Sequence, residues 1–211
     1  MTGPLVVHWR LLPCHPPKPM RHCSTCGQTR PFRSSGKIRL NANGRKLDAW
    51  LIYKCDDCDR TWNRPLYERV DIRTIAPETV LALQQSTPEW VYEVAHDVAG
   101  LRQYCNTINH SENVVLQRSQ ESGDLADCTH VHLSLRVPYV TGCRLDRLVS
   151  HEFRLSRRRV GEALRAKDIV VRPKSKTIRQ NMVVEIRRSV LAHLTEQERR
   201  AILWGDAYPA D

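Results

Sequence analysis

The sequence predicts an α+β protein with three main parts: a metal-binding β-ribbon, a small α+β middle region, and a basic module of two helices and a small sheet. Within residues 1–70, two Cys-x-x-Cys pairs flank a hairpin pattern. Residues 71–143 change from helical periodicity to strand alternation. Residues 144–190 combine two short helical stripes, two short apolar strands and 14 basic side chains. Residues 191–211 contain one more predicted helix, which begins at a capping box of Thr195 and Glu198.

The two Cys-x-x-Cys pairs have the spacing of a zinc ribbon. They are Cys23/Cys26 and Cys55/Cys58, with 28 residues between the pairs. Each pair can present two thiolates to one side of a metal ion, and Zn²⁺ favours four such ligands in a tetrahedron. Four thiolates leave no position for a reactive water, so we expect the metal to stabilise the fold. Disulfides, free thiols, or iron in place of zinc are the alternative interpretations.

A β-hairpin is predicted between the two cysteine pairs. Asn43-Gly44 suits a type I′ turn, which needs two positive φ angles, and residues 46–54 return as a strand. Both faces of that strand are largely apolar, so we expect one face to pack against a segment outside the ribbon. Gly27 and Asp59 each follow a cysteine pair, where the thiolate-binding turn often requires a positive φ.

Further strands and helices are predicted on both sides of the ribbon. Residues 6–12 form an edge strand that a proline-rich link joins to the first cysteine pair. A short helix begins at Pro77, and a second helix begins at Thr87. The apolar residues of this second helix recur at three- and four-residue steps: Trp90, Val91, Val94, Ala95, Val98 and Leu101. Strands at 114–116 and 131–137 follow, with a polar turn around Gly123-Asp124 between them.

Cys128, His130 and His132 alternate along the predicted strand at 131–137 and therefore share one of its faces. Together with Cys105 or His110 they would make a second metal site. The competing interpretation is the solvent side of an amphipathic strand, because alternation alone produces such triplets and no spacing fixes a fourth ligand. We favour the solvent-side interpretation.

The net charge of +10 is distributed unevenly. It is +8 over residues 1–70, −5 over 71–143, +9 over 144–190 and −2 over 191–211. Two separated basic segments favour a polyanionic partner, most commonly nucleic acid, although basic residues also serve simply as a solvated surface. The acidic segment is a candidate contact for a protein partner. We therefore expect four segments: a zinc ribbon with its N-terminal strand, an acidic α+β middle region, an RNA-binding module and a C-terminal helix, with these same boundaries.

The chain contains no run of 18 apolar residues, so we expect no membrane span. Residues 5–12 are too short for the apolar core of a secretory signal, and prolines follow them in place of a cleavage site. We expect a cytoplasmic protein, in which thiols stay reduced and available to a metal.

The module at 144–190 carries an unusual cluster of arginines at a helix start. Ser156 is a natural N-cap, and Arg157, Arg158 and Arg159 occupy the next turn. The helix dipole disfavours cations there, each by about 0.3–1 kcal/mol. A bound phosphate would offset this cost through backbone N–H groups and guanidinium groups, whereas the alternative is that the arginines extend into water. The candidate RNA-binding residues are Arg144, Arg147, Arg157, Arg158, Arg159, Arg165, Lys167, Arg172, Lys174 and Lys176.

Arg144-Leu145-Asp146 and Ser156-Arg157 resemble the motif of the small RNA-binding module named after ribosomal small-subunit protein four. The resemblance covers about 45 residues. The chain departs from the pattern at Lys167-Asp168, where that family usually has Gly, and at Arg172-Pro173, where it usually has Asn-Gly. The resemblance implies that the two-helix face binds structured RNA, with four leading phosphate contacts: Arg157, Arg158, Arg159 and Arg165.

A second resemblance runs through nearly the whole chain. Phe32 and residues 37–44, 47–55 and 61–63, including Trp50 and Trp62, are similar to a bacterial family of unknown function, domain of unknown function number one thousand and sixty-two. This resemblance implies a metal site and no particular activity.

Three functions remain for comparison. The leading hypothesis is a non-catalytic, zinc-containing protein that binds ribosomal or other structured RNA, because a small arginine-rich module suits A-form backbone recognition. The second is a zinc-ribbon regulator associated with DNA or RNA polymerase, although no helix-turn-helix follows the cysteines. The third is an RNA-modifying enzyme that uses the middle region, which shows no recognisable nucleophile and base.

Overall fold

A computed structural model describes residues 4–123, 126 and 128–205, which form two compact units. We call residues 15–110 the cysteine unit, and the described parts of 1–14 and 111–211 the split unit. The chain is a mixed α+β protein, with two five-stranded sheets and six α-helices in the described ranges. No helix in these ranges is long and apolar enough to cross a bilayer.

The strands and helices alternate in blocks along the chain. In order, they are β1 (Leu5–Pro13), β2 (Lys18–Cys23), β3 (Gln28–Asn43), β4 (Lys46–Cys55), β5 (Thr61–Asp71), α1 (Pro77–Gln85), α2 (Pro88–Ala95), α3 (Val98–Arg102), β6 (Ile108–Asn109), β7 (Val114–Ser122), β8 (His130–Arg136), α4 (Leu145–Glu152), α5 (Arg157–Ala166), β9 (Ile169–Arg172), β10 (Met182–Arg187) and α6 (Glu196–Trp204). Two 3₁₀ turns lie at Ile72–Thr74 and Arg188–Leu191.

This division into units differs from the four consecutive segments expected from charge. The acidic segment 71–143 is divided at residue 110, and the N-terminal strand joins the C-terminal half rather than the ribbon. The reason is that strand pairing and apolar packing define a unit, whereas the net charge of a segment describes only its surface. The last six residues of the expected segment 191–211 lie outside the described residues.

In the cysteine unit the antiparallel strands follow the order β5-β4-β3-β2-β6. The predicted hairpin is β3–β4, but its turn lies one residue later than expected. Asn43 pairs with Lys46, so Gly44 and Arg45 form the turn. Gly44 has a φ of +58° and Arg45 is not among the positive-φ residues. The expected type I′ turn is therefore wrong, and Gly at the first central position is typical of type II′.

The apolar face of β4 packs against helices outside the hairpin, as the sequence predicted. Leu47 and Ala49 form a buried cluster with Leu83 of α1. Leu51 and Tyr53 form another with residues of α2 and α3, including Leu101. Burying a side chain of this size contributes roughly 1.5–3 kcal/mol relative to exposure. The hairpin therefore packs against the three helices through two buried clusters.

The long helix predicted from Thr87 through Leu101 is instead two helices, α2 and α3. Asp97 starts α3, because its carboxylate accepts a hydrogen bond from Gly100 N at 2.9 Å. The same carboxylate accepts from Arg64 Nη2 at 2.7 Å, and Arg64 is only 3% exposed. A Cβ on residue 100 would lie 2.1 Å from that Nη2, so the glycine at this position leaves room for the ion pair between Arg64 and Asp97. The apolar periodicity of this segment predicted which helix face is buried, but it did not predict the break between α2 and α3.

In the split unit the strand order is β7-β1-β8-β10-β9. The expectation that residues 6–12 form an edge strand is wrong, because β1 pairs antiparallel with β7 and parallel with β8. Leu5, Val7, Trp9 and Leu11 alternate along β1 and are fully buried. Alternation showed which face is buried, but the neighbouring strands come from residues more than 100 positions later.

The basic module has the predicted helices and strands within this larger sheet. Ser156 caps α5 by accepting a hydrogen bond from Arg159 N at 3.2 Å. Strands β9 and β10 pair antiparallel, but β10 also pairs with β8, so they extend the five-stranded sheet and do not form a separate small one. Thr195 and Glu198 form the predicted capping box of α6. Part of the predicted polar turn, Asp124, lies outside the described residues.

Candidate metal centre and basic groove

The fold of the cysteine unit brings the four predicted ligands together. All four Sγ atoms lie within 4.8 Å of one another. Cys23 and Cys58 are 3.5 Å apart, and Cys26 and Cys55 are 3.9 Å apart, measured between Sγ atoms. Ligands at about 2.3 Å from a tetrahedral metal would be roughly 3.8 Å apart. None of the four cysteines forms a disulfide. The four thiols can therefore hold a metal ion, and their arrangement is compatible with zinc.

Both cysteine pairs adopt the same turn. Gly27 N donates to Cys23 O at 2.9 Å, and Asp59 N donates to Cys55 O at 3.1 Å. The φ angles of Gly27 and Asp59 are +67° and +60°. The predicted positive φ is confirmed at both positions. Asp is among the few residues other than Gly that tolerate this conformation.

The backbone of the first turn favours a thiolate. Hydrogen bonding from the Cys26 backbone, only partly opposed by burial, lowers the pKa of Cys23 to about 7. The pKa of Cys26 rises to about 12, chiefly because its thiol is hydrogen-bonded to Cys58. Metal ligation requires deprotonated thiols, so binding releases protons and weakens in acid.

Basic residues of the ribbon form ion pairs with the two aspartates that lie between the cysteines of the second pair. Asp56 accepts from Lys18 Nζ at 2.7 Å and from Arg33 at 3.4 Å, and Asp57 accepts from Arg30 Nε at 2.7 Å. Part of the +8 charge of residues 1–70 is therefore used to fix the metal-binding turn. Sequence spacing did not reveal these pairs, since they join β2 and β3 to a turn more than 20 residues away.

The structure does not assemble the second metal site considered from sequence. The four cysteines above form the one group of three or more potential ligands within residues 4–123, 126 and 128–205. His130 is exposed and His132 half-buried, on the side of β8 opposite its buried residues. Cys128 precedes the strand and is 2% exposed, so it does not share the solvent side expected for it. Cys105 and His110 belong to the cysteine unit, and Cys128 belongs to the split unit.

A groove in the split unit collects six of the ten predicted RNA-binding residues. The start of α4, the length of α5, strand β9 and residues 174–176 line it, and its volume is ≈ 780 Å³. Leu145 N donates to Lys176 O at 2.9 Å, and Ile178 N donates to Cys143 O at 2.8 Å, so the loop is fixed to the start of α4. We call this the basic groove. Its six cations are Arg144, Arg157, Arg165, Lys167, Lys174 and Lys176.

Asp146 organises two of these cations. Its Oδ1 accepts from Arg144 Nε at 2.9 Å, and its Oδ2 accepts from Arg157 Nη2 at 2.7 Å. Hydrogen bonding from Arg144, together with that from Arg157, holds the pKa of Asp146 well below its usual range. Asp146 therefore stays ionised and holds the guanidinium groups of Arg144 and Arg157 in place in the groove lining. The two motif segments noticed in the sequence meet at this carboxylate.

The remaining predicted RNA-binding residues lie outside the groove lining. Arg147 pairs with Glu112 at 2.8 Å, Arg158 with Glu162 at 2.9 Å, and Arg172 with Glu185 at 3.3 Å. Carboxylates thus face Arg157 and Arg158 at the start of α5, where we had expected a phosphate. Within the described ranges, four groove cations form no ion pair with a carboxylate: Arg165, Lys167, Lys174 and Lys176.

The groove also contains apolar residues that sequence reasoning did not select. Leu164 of α5 is 37% exposed, and Val170 of β9 is half-buried. In the sequence, Leu164 belongs with Val160 and Ala163 to the second of the two predicted helical stripes of residues 144–190. No local signal identifies these residues as groove lining, because the groove exists only once α5 packs beside β9.

The sequence profile of a family described as "Protein of unknown function (DUF1062)" matches residues 40–175. The chain belongs to this family. In this DUF1062 chain the matched range includes the second cysteine pair and nearly all of the basic groove, and it begins after the first cysteine pair. No curated protein and no solved structure matches the chain. The function of the DUF1062 chain therefore has to be argued from its two sites.

The ion pairs of Asp146 predict a pH-dependent contribution to stability. Because the folded-state pKa is lowered, the carboxylate stabilises the fold fully above its unfolded pKa of about 3.9, and this contribution is lost as the pH falls from there. Asp146→Asn removes it. We expect thermal unfolding to show a lower midpoint for the variant at about pH 7 and a smaller difference at about pH 3. A difference that is the same at both pH values would contradict this role.

Proposed function

We propose that this DUF1062 protein is a non-catalytic RNA-binding protein that holds structured RNA in its basic groove. One observation supports the proposal most. Four cations without carboxylate partners in the described residues line the groove. Two further arginines of the lining are held in place by Asp146. Clustered cations of this kind neutralise phosphates and release counterions, which is the main source of affinity for nucleic acids.

Structured RNA is favoured over duplex DNA by the shape of the site. A-form RNA is recognised mainly through its backbone and shape, which a cation-lined groove suits. Helix-turn-helix proteins instead place a recognition helix in the DNA major groove. Here the start of α4, residues of α5 and β9, and residues 174–176 form the groove walls. The resemblance of residues 144–157 to the module named after ribosomal small-subunit protein four also supports RNA. We therefore propose that residues 144–190 form an RNA-binding module of that kind.

The metal centre completes the proposal as a zinc ribbon with a structural role. The four-thiolate donor set and the Sγ separations suit Zn²⁺. Iron uses the same ligands, so elemental analysis of the purified protein distinguishes the two metals. A zinc content near one ion per chain would agree with the proposal.

A competition experiment tests the RNA-binding function. The full chain is bound to a labelled RNA hairpin at several salt concentrations, and unlabelled RNA or DNA hairpins of the same sequence are added. If four cations each neutralise one phosphate, the slope of log affinity against log salt should be roughly −3 to −4. RNA should compete better than DNA. Equal competition by DNA would favour a DNA-associated regulator, and no binding in dilute buffer would reject nucleic-acid binding by this protein.

A further inference from the structure

We infer that the basic groove holds an unpaired RNA nucleotide, whose base packs against the aliphatic side chains of the groove while its flanking phosphates contact the surrounding cations. This inference rests on the proposed function and specifies which feature of the RNA is recognised. Paired bases inside a duplex are stacked on their neighbours and cannot reach a recessed site without leaving the stack. A bulged or looped nucleotide is already available.

The apolar lining of the groove is the first reason for this inference. Phosphate binding alone requires cations and backbone N–H groups, and apolar side chains add nothing to it. Leu164 nevertheless lies 37% exposed in this groove, one of three large apolar side chains with such exposure in the part of the chain that the structure describes. Val170 also belongs to the lining. Aliphatic and aromatic surfaces are the ones against which extruded bases pack.

Arg165 and Gly161 provide a second, independent reason. A Cβ on residue 161 would lie 3.7 Å from Arg165 Nη1, so the guanidinium extends back along α5 over this glycine. Glycine is disfavoured inside a helix relative to alanine, and here it leaves the surface of α5 next to the guanidinium without a side chain. Guanidinium planes stack on unpaired bases. Arg165 has no carboxylate partner in the described ranges, so its planar group remains available for stacking.

The groove is large enough to hold one nucleotide, and several of its lining residues are held in place by contacts within the unit. Its ≈ 780 Å³ falls within the range of about 300–1,000 Å³ typical of small-ligand pockets. Asp146 fixes Arg144 and Arg157 on one side, and the backbone hydrogen bond from Leu145 to Lys176 fixes the loop. Cations on both walls can contact the phosphates on either side of an inserted base.

Three RNA hairpins with one stem sequence test this inference with the full chain. The first is fully paired, the second contains a single bulged nucleotide, and the third contains the same bulge without its base. Fluorescence anisotropy at fixed salt should show about tenfold tighter binding to the bulged hairpin than to the paired one, since base packing of this kind has about that effect. The abasic bulge should lose most of the gain.

Leu164→Ala should remove the preference for the bulge, lowering the ratio of the affinities for the bulged and paired hairpins from about tenfold to about one. The matched control is Leu81→Ala, at an equally apolar and 52% exposed residue of α1 outside the groove, which should keep the preference. Equal affinity for the paired, bulged and abasic hairpins would overturn this inference while leaving RNA binding intact. Failure to bind all three hairpins would overturn the proposed function as well.

Discussion

Removal of the metal should unfold the cysteine unit. Cys23 and Cys55 belong to the same buried cluster as Phe32, Leu51 and Leu101, so the metal site is continuous with the core beneath α2 and α3. Structural zinc sites in small peptides bind with about 10–16 kcal/mol at neutral pH. The binding free energy of such a site is therefore comparable to the whole free energy of unfolding of a typical domain, about 5–15 kcal/mol. We therefore expect hydrogen exchange throughout residues 15–110 to become fast after chelation, and Cys55→Ser to have the same effect.

Two other cysteines supply matched controls for this experiment. Cys14→Ser changes an exposed thiol of the split unit, and Cys105→Ser changes a buried thiol of the cysteine unit that is not a ligand. Both variants should keep their metal and their slow exchange. Slow exchange over residues 15–110 in the metal-free protein would show that apolar packing alone sustains the unit, and would reject the structural role of the metal.

Reversal of three groove cations should abolish most RNA affinity. Arg165, Lys174 and Lys176 line the basic groove without carboxylate partners in the described residues, so each is available to a phosphate. In Arg165→Glu/Lys174→Glu/Lys176→Glu, three attractive contacts become repulsive. We expect affinity to fall by roughly a hundredfold or more, and the salt slope to become less negative by about three. Anisotropy titrations of the fully paired hairpin at several salt concentrations measure both quantities.

A charge-matched variant separates the groove from general electrostatics. Lys37, Arg45 and Lys46 are exposed cations of the β3–β4 hairpin in the cysteine unit, and their reversal changes the net charge equally. This variant should lose much less affinity than the groove variant. If both variants weaken binding to the same extent, the overall positive charge attracts RNA and the groove is not the binding site.

Local features of the sequence were sufficient to identify the four cysteines that the fold brings together. Two short cysteine spacings fix the turns, and positive φ at Gly27 and Asp59 follows from the geometry of those turns. Ser156 and Thr195 were recognisable as N-caps for a similar reason, since a cap contacts residues only three positions away. The break between α2 and α3 was not predicted, because apolar periodicity continues past Asp97, although this residue caps α3 through Gly100 only three positions away. Its ion pair with Arg64 of β5 could not be inferred locally.

The basic groove shows the same distinction within one site. The sequence supplied the cations and the Arg144-Leu145-Asp146 and Ser156-Arg157 segments, but it assigned the first turn of α5 as the phosphate site. In the structure Arg157 turns toward Asp146, and the groove lies between α4, α5 and β9. Its apolar lining at Leu164 could not be separated from an ordinary core stripe before the packing of α5 was known.

By itself, the sequence determined the four cysteines of the candidate metal site, the hairpin between them, the helix caps and the concentration of positive charge near the C-terminal helices. All of these depend on contacts, spacings or periodicities within short stretches of the chain. Only the tertiary structure decided that β1 lies inside a sheet with β7 and β8, that the middle segment divides at residue 110, and that six cations share one groove. Those outcomes depend on which apolar surfaces pack together across more than 100 residues of chain, and local patterns carry no information about that choice.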